Sequence, residues 1–266
     1  YFNHKMWLDM AGVRTITLAC RGDMIPDPEK AAQLITEKTR AIVLVTPNNP
    51  CGVEYPADVV MKFYELAKER QIALIIDETY RDFHSQTGAP HNLFHKKCWA
   101  DTLIQLYSFS KAYRLTGHRV GSVIASKTRI TEIEKFLDTV SICPNQLGQK
   151  AALWGLQNLG EWLANERLEI LTRRSLIEEN FPRLAAKGWK LLGLGAYFAY
   201  LKHPFDISSD TLARHLVDAA SVLTLPGTMF VKDTDQSGEG QLRIAFANID
   251  AHRINLLFDR LEKVIL

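Results

Sequence analysis

Long apolar runs are missing from this chain. Stretches such as Ala73–Ile76 fall far short of the roughly 20 residues a bilayer-crossing helix needs, so no membrane partner is expected. An excess of charge of either sign is also missing. Lysine plus arginine (32) against aspartate plus glutamate (30) leaves +2, which argues against broad electrostatic capture of nucleic acid. Cysteine is scarce: Cys20, Cys51, Cys98 and Cys143 stand far apart without a C-x-x-C pair. They read as reduced thiols in a cytoplasmic protein, not as a disulfide frame or a zinc site, and no metal is expected. There is no internal repeat and no signal-peptide pattern. What the chain does have is a globular composition: 47% of its residues are hydrophobic and 23% charged, enough to bury a core and to exclude disorder. Its 266 residues suit one large domain or two smaller ones. The opening Tyr1-Phe2-Asn3-His4 reads like the inside of a domain, so an upstream stretch is expected.

The first half alternates strand and helix patterns. Arg14–Ala19 is a short β-branched run, and Asp27–Lys38 carries apolar residues at helical spacing. Ala41–Thr46, Ile72–Ile76, Leu103–Tyr107 and Val120–Ala125 read as buried strands, with an amphipathic helix over Ala57–Arg70. The alternation predicts an α/β fold, a mostly parallel sheet covered by helices. The second half differs. Long helices are predicted from Gln146 to Leu184, broken at Gly160. Strands follow at Trp189–Leu192, Tyr197–Leu201, Val222–Leu225 and Leu242–Phe246, with helices at Asp210–Ala219 and Asp250–Ile265. That pattern predicts a smaller C-terminal α+β domain, with residues 1–175 forming the large domain and 176–266 the small one.

In open α/β sheets, ligands sit at the carboxyl ends of the strands. Pro47-Asn48-Asn49-Pro50-Cys51-Gly52 follows the first buried strand, Asp77-Glu78-Thr79-Tyr80 the second, and Ser108-Phe109-Ser110-Lys111 the third; Arg119 precedes the fourth. Singly these are ordinary features: a turn, a helix cap, surface charges. Together they bring different polar groups to one rim, and one chemistry uses the whole set. A lysine amine in a partly desolvated site attacks a pyridoxal aldehyde as a Schiff base. An aspartate keeps the pyridine nitrogen protonated, so the ring acts as an electron sink. Tyrosine and asparagine donate to the phenolic oxygen, an aromatic stacks on the ring, and hydroxyls with a guanidinium hold the phosphate.

These four motifs, in this order and at similar separations, resemble the class I/II aminotransferases, pyridoxal 5'-phosphate enzymes of fold type I. The resemblance runs along the whole chain but covers only about the last two thirds of a typical member, whose phosphate-cradling helix N-terminus lies upstream of Tyr1. It implies Lys111 as Schiff-base lysine and proton carrier, and Asp77 as partner of the ring nitrogen. Asn49 and Tyr80 would hold the phenolic oxygen, and Ser108, Ser110 and Arg119 the phosphate. Tyr1 would stack on the ring, with Phe2 as the off-by-one alternative, and His4 would lie behind Asp77. Gln241-Leu242-Arg243-Ile244-Ala245-Phe246 resembles the family's late strand, making Arg243, with Asn49, the grip on the substrate carboxylate. Gly195-Ala196-Tyr197-Phe198 and Pro226-Gly227-Thr228-Met229-Phe230 resemble segments near the substrate, though strand and turn packing explains them as well. Cys51 stands where the family often has threonine. The implied activity is transfer of an amino group between an L-amino acid and a 2-oxo acid, in a homodimer. A β-lyase or synthase of the same fold, or a non-catalytic aminotransferase-like sensor, would carry the same residues. A Schiff-base aldolase would need a (β/α)₈ barrel, which the change of pattern after residue 145 disfavours. No arginine near Asp138–Pro144 matches the one used by dicarboxylate-specific relatives, which weakly disfavours strict aspartate specificity.

Overall fold

The computed structural model describes residues 1–232 and 235–265. Two compact units make up the chain. The parallel unit comprises Asp27–Pro47 and Glu54–Leu168; the antiparallel unit comprises Tyr1–Pro26, Asn48–Val53 and Glu169–Leu266.

In the parallel unit, strands β1 (Ala41–Val45), β2 (Ala73–Asp77), β3 (Leu103–Ser108) and β4 (Gly121–Ile124) lie in that order. The first three are parallel and β4 runs antiparallel to β3. The helix Ala57–Glu69 joins β1 to β2. Val60, Phe63, Tyr64 and Ala67 recur at helical spacing and are buried, which docks it. A fully buried side chain of the size of Phe63 contributes roughly 1.5–3 kcal/mol. The helix expected over Asp27–Lys38 is shorter, Pro28–Leu34. Asp27 caps it and Pro28 opens it, but Ile35 is already extended. Ser126 caps a helix, Lys127–Val140, that the sequence reading omitted. Helices Gln146–Asn158 and Gly160–Ala185 divide at Leu159, as the glycine suggested.

In the antiparallel unit the sheet order is β5 (Lys190–Gly195), β6 (Phe198–Lys202), β8 (Gln241–Ala245), β7 (Leu225–Pro226), antiparallel throughout. Helix Ser209–Ala220, capped by Ser208, buries Leu212, Ala213 and Leu216. Helix Ala251–Glu262, capped by Asp250, buries Ile254, Leu257, Phe258 and Leu261. Arg183 pairs with Asp259 at 2.6 Å and Glu262 at 2.7 Å.

Two strand expectations are corrected, and one helix was not expected. Arg14–Ala19 forms no strand: Ile16 is half exposed and the stretch finds no sheet neighbour, only an isolated bridge from Cys20 to Pro26. The strand expected over Val222–Leu225 is reduced to the two residues of β7, Leu225–Pro226, which pair with Arg243 and Leu242 of β8, and Val222–Thr224 find no ladder partner. Phe2–Met10 is a helix that was not foreseen, and none of its residues is buried.

Candidate active site

The predicted residues divide between the units. Asp77, Tyr80, Ser108, Ser110, Lys111 and Arg119 belong to the parallel unit; Tyr1, Asn49 and Arg243 belong to the antiparallel unit.

In the parallel unit the register sets the arrangement. Asp77, the last residue of β2, pairs with Leu106 of β3, and Ser108 at the end of β3 pairs with Gly121 of β4. Neighbouring strands lie about 4.8 Å apart, so these strand ends form one rim. The Asp77 carboxylate accepts from the Thr79 backbone N–H at 3.0 Å and the Thr79 hydroxyl at 2.7 Å. Tyr80 is buried at the start of the single turn Arg81–Phe83.

Lys111 sits on a four-residue helix, Phe109–Ala112. The extended Ser108 caps it, its hydroxyl accepting from the Ser110 N–H at 3.3 Å. A helix this short has no stability of its own. Buried Phe109 and Ala112 anchor it, Phe109 packing on Tyr107 at 5.1 Å and Tyr113 at 5.4 Å, with Val120 and Ala152 beside it. Lys111 is left half-buried. The Thr116 hydroxyl donates to the Ser110 carbonyl at 2.8 Å, and Arg119 Nη1 donates to the Thr116 carbonyl at 2.8 Å. The Phe109 N–H reaches the Val120 carbonyl at 3.2 Å. Ser110, Thr116 and Arg119 are therefore one linked group. Arg119 adopts φ +52°, uncommon for a residue with a side chain.

Behind this rim lies a polar group that sequence reasoning missed. Glu78 is fully buried, with Gln105 of β3 donating to it, Arg81 Nη1 at 3.5 Å and His91 Nε2 at 3.3 Å. Burial pushes its carboxyl upward, but His91, Arg81 and Gln105 outweigh that and hold it below its ordinary value. The Tyr107 hydroxyl donates to Asp82 at 2.6 Å; burial, with each other's proximity, raises the tyrosine, and burial raises Asp82. An acidic residue beside Asp77 was the available signal for Glu78; its distant partners carried none.

In the antiparallel unit, Arg243 of β8 donates from Nη1 to Asn49 Oδ1 at 2.7 Å. Its guanidinium carbon lies 4.6 Å from the Phe198 ring centroid and 5.1 Å from that of Phe230. Phe2 meets Phe230 at 5.8 Å, and Tyr200 meets Phe230 edge-on at 6.4 Å. Tyr1, 40% exposed, meets Phe2 at 4.7 Å and His4 at 6.0 Å. Asn49 rides on a turn held by close backbone approach. A Cβ on Gly52, at φ +75°, would lie 2.5 Å from the Gly195 nitrogen and 2.6 Å from the Phe198 carbonyl. Cys51 is buried, its Sγ 3.1 Å from Asn48 Oδ1, and burial pushes the thiol up to about 12, so it is no nucleophile at neutral pH.

Among the described residues no helix is long and apolar enough to cross a membrane. The profile of the family described as aminotransferase class I and II matches residues 1–261. An aspartate aminotransferase of Pyrococcus horikoshii is 28% identical over 259 residues, covering 94% of this chain and 63% of the relative. The aromatic aminotransferase ISS1 of Arabidopsis thaliana is 25% identical, covering 100% of this chain and 66% of the relative. The chain thus spans just under two thirds of the length of these curated relatives. A solved aspartate aminotransferase from Thermus thermophilus, a double mutant, superposes with TM-score 0.87 at 24% identity, covering 100% of this chain and 68% of that one; this likeness concerns the fold, type I.

Proposed function

The chain belongs to the class I and II aminotransferases, and on that premise we propose that it takes part in moving an amino group from an L-amino acid to a 2-oxo acid with pyridoxal phosphate, the cofactor of this family. The observation that carries the reading is the rim of the parallel unit: the Lys111 amine, the Asp77 carboxylate and the linked Ser110–Thr116–Arg119 group at the ends of adjacent strands. Such a donor set fits the cofactor's chemistry. An amine suits its aldehyde, a carboxylate its pyridinium nitrogen, and hydroxyls with a guanidinium its phosphate.

Bound pyridoxal phosphate supplies an electron sink for the pair left at the substrate Cα. The rest falls to side chains. Asp77 would hold a proton on the ring nitrogen, and Tyr80 would donate to the ring oxygen. Ser108, Ser110 and Arg119 would grip the phosphate. Arg243, braced by Asn49, takes the substrate α-carboxylate in its planar fork. The Lys111 amine would serve as the base that takes the proton from the substrate Cα and holds it for return. Proton transfer by a placed base typically accounts for about 10²–10⁴-fold in rate. A homodimer and a cytoplasmic location belong to the same proposal and are supported by the family resemblance.

Borohydride reduction of the protein incubated with pyridoxal phosphate tests it. Peptide mass spectrometry is expected to find one reduced adduct, on Lys111. With an amino acid and 2-oxoglutarate, the protein should yield glutamate, and Lys111→Ala should lose at least about 10²-fold of that rate. An adduct elsewhere, or a Lys111→Ala protein as fast as the parent, overturns the assignment. Release of ammonia without glutamate would favour a lyase.

A further inference from the structure

We propose that Phe230, together with Phe198, is a positioning residue for the carboxylate-binding Arg243, acting through its ring face. The inference rests on Arg243 being the substrate-carboxylate clamp. Two aromatic rings lie under one guanidinium carbon, at 4.6 Å and 5.1 Å, within the range of cation–π attraction. A ring beneath the guanidinium carbon takes up no hydrogen bond and so leaves the N–H groups available. One in-plane donor is already committed to Asn49 Oδ1 at 2.7 Å. In the proposed role the two rings limit the tilt of the guanidinium, and the Asn49 amide limits its rotation. A carboxylate then meets a fork that is already aimed, with less side-chain freedom lost on binding. The rings compete for no hydrogen bond that the substrate needs.

The fold holds Phe230 firmly for this. It ends the one-turn helix Gly227–Phe230. A Cβ on Gly227 would lie 2.6 Å from the Gly238 carbonyl, and one on Gly238 would lie 2.7 Å from the Gly227 carbonyl carbon, so the two turns touch backbone to backbone. The Thr228 hydroxyl donates to Asp210 at 2.5 Å, tying the same turn to helix Ser209–Ala220. Tyr200 and Phe2 brace the Phe230 ring from two other segments. Phe198 comes from β6, the strand paired with β8, and is buried.

The test varies the ring's charge distribution and keeps its shape. Phenylalanine at position 230 of the pyridoxal-phosphate-loaded protein is replaced by mono-, tri- and pentafluorophenylalanine. Calorimetry then measures the dissociation constant of 3-phenylpropanoate, a carboxylate with no amine to react. The constant should rise step by step with fluorination, by about 2- to 30-fold over the series. KM for the amino acid should follow it, with kcat changed less and the melting temperature held. Phe230→Tyr should keep parental affinity and Phe230→Leu should behave like the pentafluoro protein. Arg243→Gln separates the premise from the inference. If it abolishes binding while the fluorinated series stays flat, the ring-face role is wrong and the clamp stands. If Arg243→Gln binds like the parent, the clamp fails and the positioning role falls with it.

Discussion

Residue chemistry decides how the rim holds its shape across pH. The Glu78 carboxyl lies below its ordinary value in the folded protein because His91, Arg81 and Gln105 overcome its burial. A group depressed in this way adds stability above its unfolded value and loses it as pH falls through its folded one. Glu78→Gln should therefore lower stability at pH 7 by about 3 kcal/mol, the scale of breaking one side of a buried pair. The gap to the parent should narrow as pH drops below about 4, the unfolded carboxylate range. Denaturant unfolding at a series of pH values measures both; a gap that is constant with pH would contradict the account. The places of Asp77 and Lys111 at the ends of β2 and β3 were legible in the sequence, because polar residues there close largely apolar runs. Glu78's network was not, since His91 and Gln105 are brought to it by folding and neither stands in a motif. The same holds for Thr116, an unremarked hydroxyl that turns out to join Ser110 to Arg119.

Among elements, those with strong periodicity were read well. The strands β1, β2 and β3 and the helix Ala57–Glu69 differ from expectation by a residue or so at their ends. Failures fell where the local pattern lacked a tertiary partner. Arg14–Ala19 has β-branched residues but no neighbouring strand, and a strand is a statement about pairs. The 48–53 turn looked like any Asn-Pro-x-Gly, and its packing on β5 and β6 was invisible locally. Gly52→Ala tests that packing. At φ +75° and with backbone atoms 2.5 Å from the new methyl, the substitution should destabilise by more than the ~1 kcal/mol that a compatible glycine-to-alanine change gains. Because Asn49 rides on this turn, the variant should also weaken binding of a carboxylate probe. Thermal melting with calorimetry reads both effects, and unchanged values would show that the turn yields easily.

For the molecule as a whole, the antiparallel unit is not a continuous stretch. It takes in Tyr1–Pro26, Asn48–Val53 and Glu169–Leu266. A fragment of residues 169–266 should therefore fold poorly by itself, without the turn that fills the approach to Gly193, where a Cβ would lie 2.5 Å from the Cys51 carbonyl. Circular dichroism of that fragment should show no cooperative melt at the temperature of the parent; a sharp, parent-like transition would refute this. There is also a consequence in time. A ribosome makes Asn49 long before it makes Arg243, and the bond between them joins positions 194 residues apart. Closing so wide a loop is slow compared with forming local helices. The nascent asparagine must wait, on a turn with nothing yet to lean on, until the final strands emerge. The Asn49–Arg243 pairing is thus among the last contacts the chain acquires as it is born.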